Sequence, residues 1–165
     1  MRLIGLAGWS GAGKTTLIAT VIPLLRSRGV SVSTIKHAHH AFDIDTPGKD
    51  SFLHRQAGAS EVIVASRLRF ALMREHRGEP EPSLDDLLGR LAPVDLVLVE
   101  GFRGGSHPKL EVHRLATGKA LIHPGDAKIL AIATDAPGPF AIPRLDIADG
   151  PAIADFLFAA AEPVA

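Results

Sequence analysis

Eight residues near the start of the chain combine glycine, lysine and threonine at a spacing typical of phosphate binding. Residues 8–15 read GWSGAGKT and match the pattern G-x-x-x-x-G-K-[ST] in full. In such a loop the glycines let backbone N–H groups face a phosphate, while Lys14 reaches the outer phosphates and Thr15 binds magnesium. The pattern predicts a nucleotide-phosphate site made of Ser10, Gly11, Ala12, Gly13, Lys14, Thr15 and Thr16, with Lys14 also a catalytic residue.

Apolar residues on both sides of this loop indicate the elements that hold it. A short apolar run, residues 3–7, predicts a buried strand, and apolar residues recur at helical spacing from Leu17 to Leu25. Arg26, Arg28 and Gly29 are typical of a helix end. The loop is therefore expected to cap the N-terminus of a helix, where the helix dipole favours an anion.

A second apolar run ends in an acid. Residues 94–99 are apolar except for Asp95, and Glu100 and Gly101 follow. Such a run is typical of a central parallel strand buried on both faces, and its last residue emerges at the edge where ligands bind. Glu100 is therefore predicted to be catalytic and linked to a magnesium ion. The alternative is a local salt bridge or cap, and Asp95 is expected to serve the turn at the other end.

The segment between residues 37 and 50 is dense in histidine and acid and has no regular periodicity, which is typical of a functional loop. Asp43 and Asp45 are metal candidates with neither preferred; solvated carboxylates are the alternative. His37, His39 and His40 suggest a transition-metal site, but their spacing favours structural or phosphate-contacting roles.

Further along, residues 61–66 and 69–74 read as two strands of an antiparallel hairpin, inserted in or at the edge of a parallel sheet. Residues 109–114 alternate apolar and polar side chains, which predicts a half-exposed strand. Asp135 follows another apolar strand and is a candidate for hydrogen bonds from a guanine base, although the guanine-reading pattern Asn/Thr-Lys-x-Asp is absent.

Length and composition favour one domain over residues 1–165. The phosphate-loop motif and the order of the predicted strands and helices favour an α/β fold, a P-loop NTPase-like three-layer sandwich with a mostly parallel central sheet and an antiparallel hairpin or edge. The chain has 18 basic and 18 acidic residues, so bulk charge favours neither nucleic acid nor an anionic membrane. No cysteine is present, which excludes disulfides, cysteine-bound metals and a cysteine nucleophile. The composition fits the cytoplasm, and no apolar run is long enough to span a bilayer.

Several segments resemble the MobB family, the molybdopterin-guanine dinucleotide biosynthesis adapter proteins. They are residues 1–16, HAHH at 37–40 with DIDTPGKDS at 43–51, RQAGA at 55–59, VEGF at 99–102 and PKLEV at 108–112. The likeness extends from the first strand to about Asp135, and the histidine and aspartate block is more specific than the phosphate loop.

This resemblance implies a homodimeric P-loop protein that binds GTP with Mg²⁺, hydrolyses it weakly and assists the guanylyltransferase that attaches GMP to molybdopterin. Gly11, Gly13, Lys14, Thr15 and Thr16 match the family's phosphate site, and Glu100 matches its metal-side acid. The histidine and aspartate loop is then expected to respond to nucleotide.

Two other functions fit the same residues. A small-molecule kinase would use the same loop, Thr15 and Glu100, with Arg67, Arg69 and Arg103 as candidate lid arginines. A metallochaperone GTPase would use His37, His39 and His40.

Overall fold

The computed structural model describes residues 1–38 and 42–164. Its strands are β1 (Arg2–Ala7), β2 (Val32–Lys36), β3 (Glu61–Ala65), β4 (Phe70–Arg74), β5 (Leu96–Glu100), β6 (Lys109–His113), β7 (Ile129–Thr134), β8 (Arg144–Asp146) and β9 (Glu162–Pro163). Its helices are α1 (Lys14–Ser27), α2 (Asp50–Gln56), α3 (Leu84–Leu88) and α4 (Gly150–Ala160), and short 3₁₀ helices cover Leu115–Thr117 and His123–Gly125.

These elements belong to two compact units, one made of residues 1–37 with the chain from residue 87 onward, the other of residues 38–86. The first unit contains a seven-stranded sheet in the order β2-β5-β1-β6-β7-β8, with β9 added antiparallel to the start of β1. All neighbours along that order are parallel. The predicted α/β class, with a mostly parallel central sheet, is confirmed.

One face of this sheet carries the hydrophobic core. Ile4 and Leu6 of β1 and Leu96 and Leu98 of β5 are buried together with apolar residues of α1 and α4. The two helices approach closely at Gly150, where an added Cβ would lie 3.1 Å from Thr20 Cγ2. Burial of β5 on both faces explains its unbroken apolar sequence, and the predicted central strand is confirmed.

The prediction that residues 109–114 form a half-exposed strand is wrong for the five residues of β6, which are all buried. The alternation is real, but polar loop segments cover the second face. Lys109 Nζ donates to Gly105 O and Asp126 Oδ2, at 2.6 and 3.0 Å. Glu111 accepts the backbone N–H groups of Ile122 and His123, at 2.7 and 2.9 Å. Charged side chains are buried here because each has charged or hydrogen-bonded partners.

The second unit contains the predicted hairpin. Strands β3 and β4 pair antiparallel from Glu61 with Arg74 to Ala65 with Phe70. They form a two-stranded sheet of their own and do not join the parallel sheet. The prediction that the hairpin lies in or at the edge of the parallel sheet is therefore wrong, because its two strands pair with each other in a separate unit. Val62 is buried on one side, whereas Ile63 and Phe70 are 65% and 74% exposed. The hairpin is thus confirmed as a local structure, with an apolar surface that its own unit leaves uncovered.

Candidate phosphate-binding site

The glycine-rich loop leads from the end of β1 into the first turn of α1. Gly11 and Gly13 have φ values of +81° and +93°, in a backbone region that residues other than glycine rarely adopt. Gly13 is the N-cap of α1, and its carbonyl accepts the N–H of Leu17 at 2.9 Å. The strand, loop and helix predicted from the sequence are therefore confirmed, and the loop places the first-turn N–H groups of α1 at the sheet edge.

Lys14 is folded back over its own loop. Its Nζ donates to Gly8 O at 2.9 Å and to Trp9 O at 3.1 Å, and Glu100 Oε1 lies 4.0 Å away. Burial lowers the pKa of Lys14, the Arg103 and Lys36 cations lower it further, and Glu100 opposes them. Two weakly accepting carbonyls therefore hold an ammonium group that an anion would bind more strongly.

Strand register brings Glu100 and Lys36 beside this loop. Lys36 pairs with Glu100 across β2 and β5, and Glu100 pairs with Leu6 of β1. Lys36 Nζ lies 3.9 Å from Glu100 Oε2, so Glu100 stands between two cations at distances longer than a hydrogen bond. Its side chain is 14% exposed. The carboxylate is thus held in place yet keeps oxygens available to a ligand.

A cleft of about 370 Å³ lies over these groups. The residues that line it are Ser10, Gly11, Gly13, Lys14, Thr15, Thr16, Lys36 and Glu100. Of the predicted phosphate-site residues only Ala12 is not in this lining; its side chain is buried in the core and its N–H donates to Trp9 O at 3.1 Å. The structure thus brings the loop and the acid of β5 together in one cleft.

Asp135 lies at the carboxyl end of β7 and does not line the cleft. Its Oδ1 accepts the N–H of Leu115 at 2.8 Å, and its Oδ2 lies 3.4 Å from Arg114. The Leu115 N–H lowers the pKa of Asp135 most, and Arg114 adds to this. An added Cβ on Gly13 would lie 3.8 Å from Arg114 Nε. Arg114 therefore bridges the region from Asp135 to the phosphate loop, although the sequence reasoning did not single it out.

Asp43 and Asp45 lie in the second unit, where both bind Arg55. Arg55 donates to Asp43 at 2.8 Å, to Asp45 at 3.1 Å and to Glu75 at 2.6 Å. Hydrogen bonds from Arg55 are the main cause of a lowered pKa at Asp43. Burial alone would raise the pKa of Asp45, but hydrogen bonds from Ser51, Thr46 and Arg55 outweigh it. Both carboxylates are ionised and anchored, and their metal role stays a prediction.

The histidine cluster is described only in part. His37 follows β2, and its ring contacts Phe102 with centroids 4.8 Å apart. His39 and His40 lie outside the described residues. Within residues 1–38 and 42–164 no group of three or more His, Asp or Glu side chains is arranged to hold a metal ion.

Arg103, predicted from the sequence only as a candidate lid residue, contacts the phosphate loop. Its guanidinium lies 4.7 Å from the centroid of the Trp9 ring, and it donates to Gly8 O at 3.2 Å. Trp9 in turn donates its Nε1–H to Ala120 O at 2.8 Å. A signal was available, because Arg103 follows Glu100 closely and glycines flank it, which is typical of a loop at a ligand edge.

Comparison with known proteins identifies the family. A family described as "Molybdopterin guanine dinucleotide synthesis protein B" matches residues 3–135. The chain belongs to the MobB family. A relative from Escherichia coli (strain K12), named molybdopterin-guanine dinucleotide biosynthesis adapter protein, is 42% identical over 160 residues, covering 94% of this chain and 90% of the relative. A MobB relative of the same name from Haemophilus influenzae is 44% identical over 158 residues, covering 94% and 86%.

Solved structures agree with the MobB assignment. A crystal structure of a MobB homologue from Bacillus stearothermophilus superposes with a TM-score of 0.69, at 27% identity and with 95% of each chain covered. The suspected family is thus confirmed by sequence and by fold. In the part of the chain that the structure describes, no helix combines the length and apolar character needed to cross a membrane.

Proposed function

We propose that this chain binds GTP with Mg²⁺ through the phosphate loop and acts as an adapter in the biosynthesis of molybdopterin guanine dinucleotide. The proposal of nucleotide binding rests on one observation about Lys14: its ammonium group donates hydrogen bonds to two backbone carbonyls, Gly8 O and Trp9 O. Outer phosphate oxygens are stronger acceptors than these carbonyls, so Lys14 would donate to a bound triphosphate instead of to the two carbonyls. The positive end of α1 would add to the attraction.

The residues of the cleft fit a magnesium ion. Mg²⁺ is usually bound by one or two carboxylates, phosphate oxygens and water, and so needs no cluster of three protein ligands. Thr15 supplies a hydroxyl to the cleft and Glu100 supplies the carboxylate. When bound, the ion would neutralise phosphate charge. Thr15 and Glu100 would hold it, directly or through water.

Asp135 is proposed to help select guanine. A carboxylate can accept two hydrogen bonds from the N–H groups of guanine but not from adenine, whose corresponding edge lacks that donor pair. Asp135 already accepts one N–H, from Leu115, and its low pKa keeps it an acceptor. Asp135→Asn is therefore expected to lower the ratio of GTP affinity to ATP affinity, as measured by calorimetry.

The adapter part of the proposal rests on the relatives. Two proteins at 42% and 44% identity carry the name of a molybdopterin-guanine dinucleotide biosynthesis adapter. We infer that the partners are a molybdopterin guanylyltransferase, which joins GMP to molybdopterin, and a second copy of this chain. Slow GTP hydrolysis and a cytoplasmic location are part of the same proposal.

Reconstitution with a guanylyltransferase, molybdopterin and GTP tests the adapter role. The unmodified chain is expected to raise the yield of molybdopterin guanine dinucleotide. Lys14→Ala is expected to lose that gain. Lys128→Ala, an exposed lysine just before β7 and thus at the opposite edge of the sheet, is the matched control and should retain it. No gain with the unmodified chain would refute the adapter role, and a phosphorylated product made from ATP would instead favour the kinase alternative.

A further inference from the structure

Arg103 is held beside the phosphate loop by a rigid turn. Gly105 N–H donates to Phe102 O at 2.9 Å, so Phe102 to Gly105 form a β-turn with Arg103 in its second position. Phe102 has a φ of +48°, an unusual value for a residue other than glycine.

Both ends of this turn are fixed. Phe102 contacts the His37 ring, and at Gly105 an added Cβ would lie 2.6 Å from the ring of His107. His107 also packs on β1, because an added Cβ on Gly5 would lie 2.5 Å from His107 Nε2. The backbone that carries Arg103 is therefore anchored to the strand that ends in the phosphate loop.

The side chain rests on groups that bind a cation weakly. Arg103 and Lys14 both donate to Gly8 O, at 3.2 and 2.9 Å. Two cations that share one carbonyl oxygen are close together, and Arg103 accordingly lowers the pKa of Lys14. Lys36 brings a third cation, whereas Glu100 is the one carboxylate among the described residues that line the cleft. This surplus of positive charge favours a ligand with several negative charges.

From these contacts we infer that Arg103 reads the number of phosphates. On binding of a triphosphate, its guanidinium leaves the Trp9 ring and Gly8 O and binds the outermost phosphate, beside Lys14. A diphosphate places no group there, so Arg103 stays on Trp9. The planar guanidinium suits this exchange, because it stacks on an aromatic ring in one state and binds two phosphate oxygens in the other. This inference rests on the proposed phosphate site and adds a selectivity to it.

Trp9 gives a direct readout, because it is the only tryptophan in the chain. Its fluorescence and the calorimetric affinity are to be measured with GTP, GDP, tripolyphosphate and pyrophosphate, each with Mg²⁺. In the unmodified chain the triphosphates should bind more tightly than the diphosphates and change Trp9 emission to a different extent. Arg103→Ala should lower triphosphate affinity about tenfold to a hundredfold, lower diphosphate affinity much less and abolish the difference in emission.

Two further variants complete the design. Arg103→Lys keeps the charge without the planar group and should restore part of the triphosphate preference. Arg26→Ala, an exposed arginine in the last turn of α1, is the control and should behave as the unmodified chain. The inference would be overturned if the unmodified chain and Arg103→Ala showed the same preference for triphosphates over diphosphates. It would also be overturned if the unmodified chain bound none of the four phosphate compounds. Failure of GTP alone, with tripolyphosphate still bound in an Arg103-dependent way, would count against the GTP proposal and support the role of Arg103.

Discussion

At the scale of single residues, the position of Glu100 leads to a prediction about magnesium. Its carboxylate is held between Lys14 and Lys36 without a short hydrogen bond to either. Glu100→Gln removes the charge and keeps the shape, so it should weaken Mg²⁺-dependent GTP binding about tenfold or more and affect metal-free binding much less. Titrations with and without Mg²⁺ measure both quantities, and an equal loss in the two conditions would assign Glu100 a structural role.

The same titrations test the two aspartates of the second unit. Asp43→Asn and Asp45→Asn each remove one ion pair with Arg55. If one of them approaches the metal, that variant alone should also lower the Mg²⁺-dependent affinity. If neither does, both variants should leave nucleotide binding unchanged.

His107 leads to a prediction about pH. Burial, helped by the nearby Lys109 ammonium, lowers its pKa from the usual 6.5. Below about pH 6.5 the unfolded chain therefore binds a proton at this histidine more readily than the folded chain does. The free energy of unfolding falls as the pH is lowered through this range, with a slope from His107 of at most about 1.4 kcal/mol per pH unit. Between pH 7.5 and pH 5.5, the free energy of unfolding measured with urea should fall more for the unmodified chain than for His107→Phe or His107→Asn.

The control for this experiment is His54→Gln, which replaces an exposed histidine of α2. It should show the same loss between the two pH values as the unmodified chain. If the His107 variants also show that loss, the burial of His107 does not contribute to the pH dependence.

At the scale of elements, β6 carries a buried ion pair that can be tested. Lys109 has a side chain 2% exposed and bonds Asp126, whose side chain is 23% exposed. Lys109→Met should destabilise the fold by about 3 kcal/mol, because it leaves the Asp126 carboxylate without its partner. The double variant Lys109→Met/Asp126→Asn should recover part of that loss. Urea unfolding checks both, and a double variant no better than the single one would contradict this account of the pair.

The elements also show which features sequence reasoning could predict. The phosphate loop, α1 and β5 follow from local patterns, because their glycine spacing and apolar periodicity do not depend on distant segments. For β6 the alternation of apolar and polar residues was visible in the sequence, but the burial of its polar residues was not. Lys109 and Glu111 are buried by contacts with residues 105 and 122–126, which no local pattern predicts. The placement of Arg103 on Trp9 likewise depends on a contact between distant parts of the chain, which no local pattern contains.

At the scale of the whole molecule, the exposed face of the hairpin is where we place the proposed contact with a second copy of the chain. Ile63 pairs with Leu72 and Ala65 pairs with Phe70, so these residues share one face of the hairpin. Ile63, Phe70 and Leu72 are 65%, 74% and 40% exposed. A two-stranded sheet is marginally stable alone, and its open edges and apolar face favour pairing with a second copy.

Ile63→Ser/Phe70→Ser should therefore shift the chain from a dimer to a single chain of 17.4 kDa, as measured by light scattering after size-exclusion chromatography. Leu115→Ser, which replaces an apolar residue 61% exposed in the first unit, should leave the mass unchanged. A dimer that survives the double substitution, or an unmodified chain that is monomeric, would contradict the hairpin interface.

Calorimetric titration of the purified chain with GTP, ATP and GDP, with and without Mg²⁺, is the decisive test of the proposed nucleotide site. We expect Mg²⁺-dependent binding with a preference for GTP, lost in Lys14→Ala and kept in Lys128→Ala, with both variants folded. Unchanged GTP affinity in Lys14→Ala, or equal or better binding of ATP by the unmodified chain, would contradict this expectation.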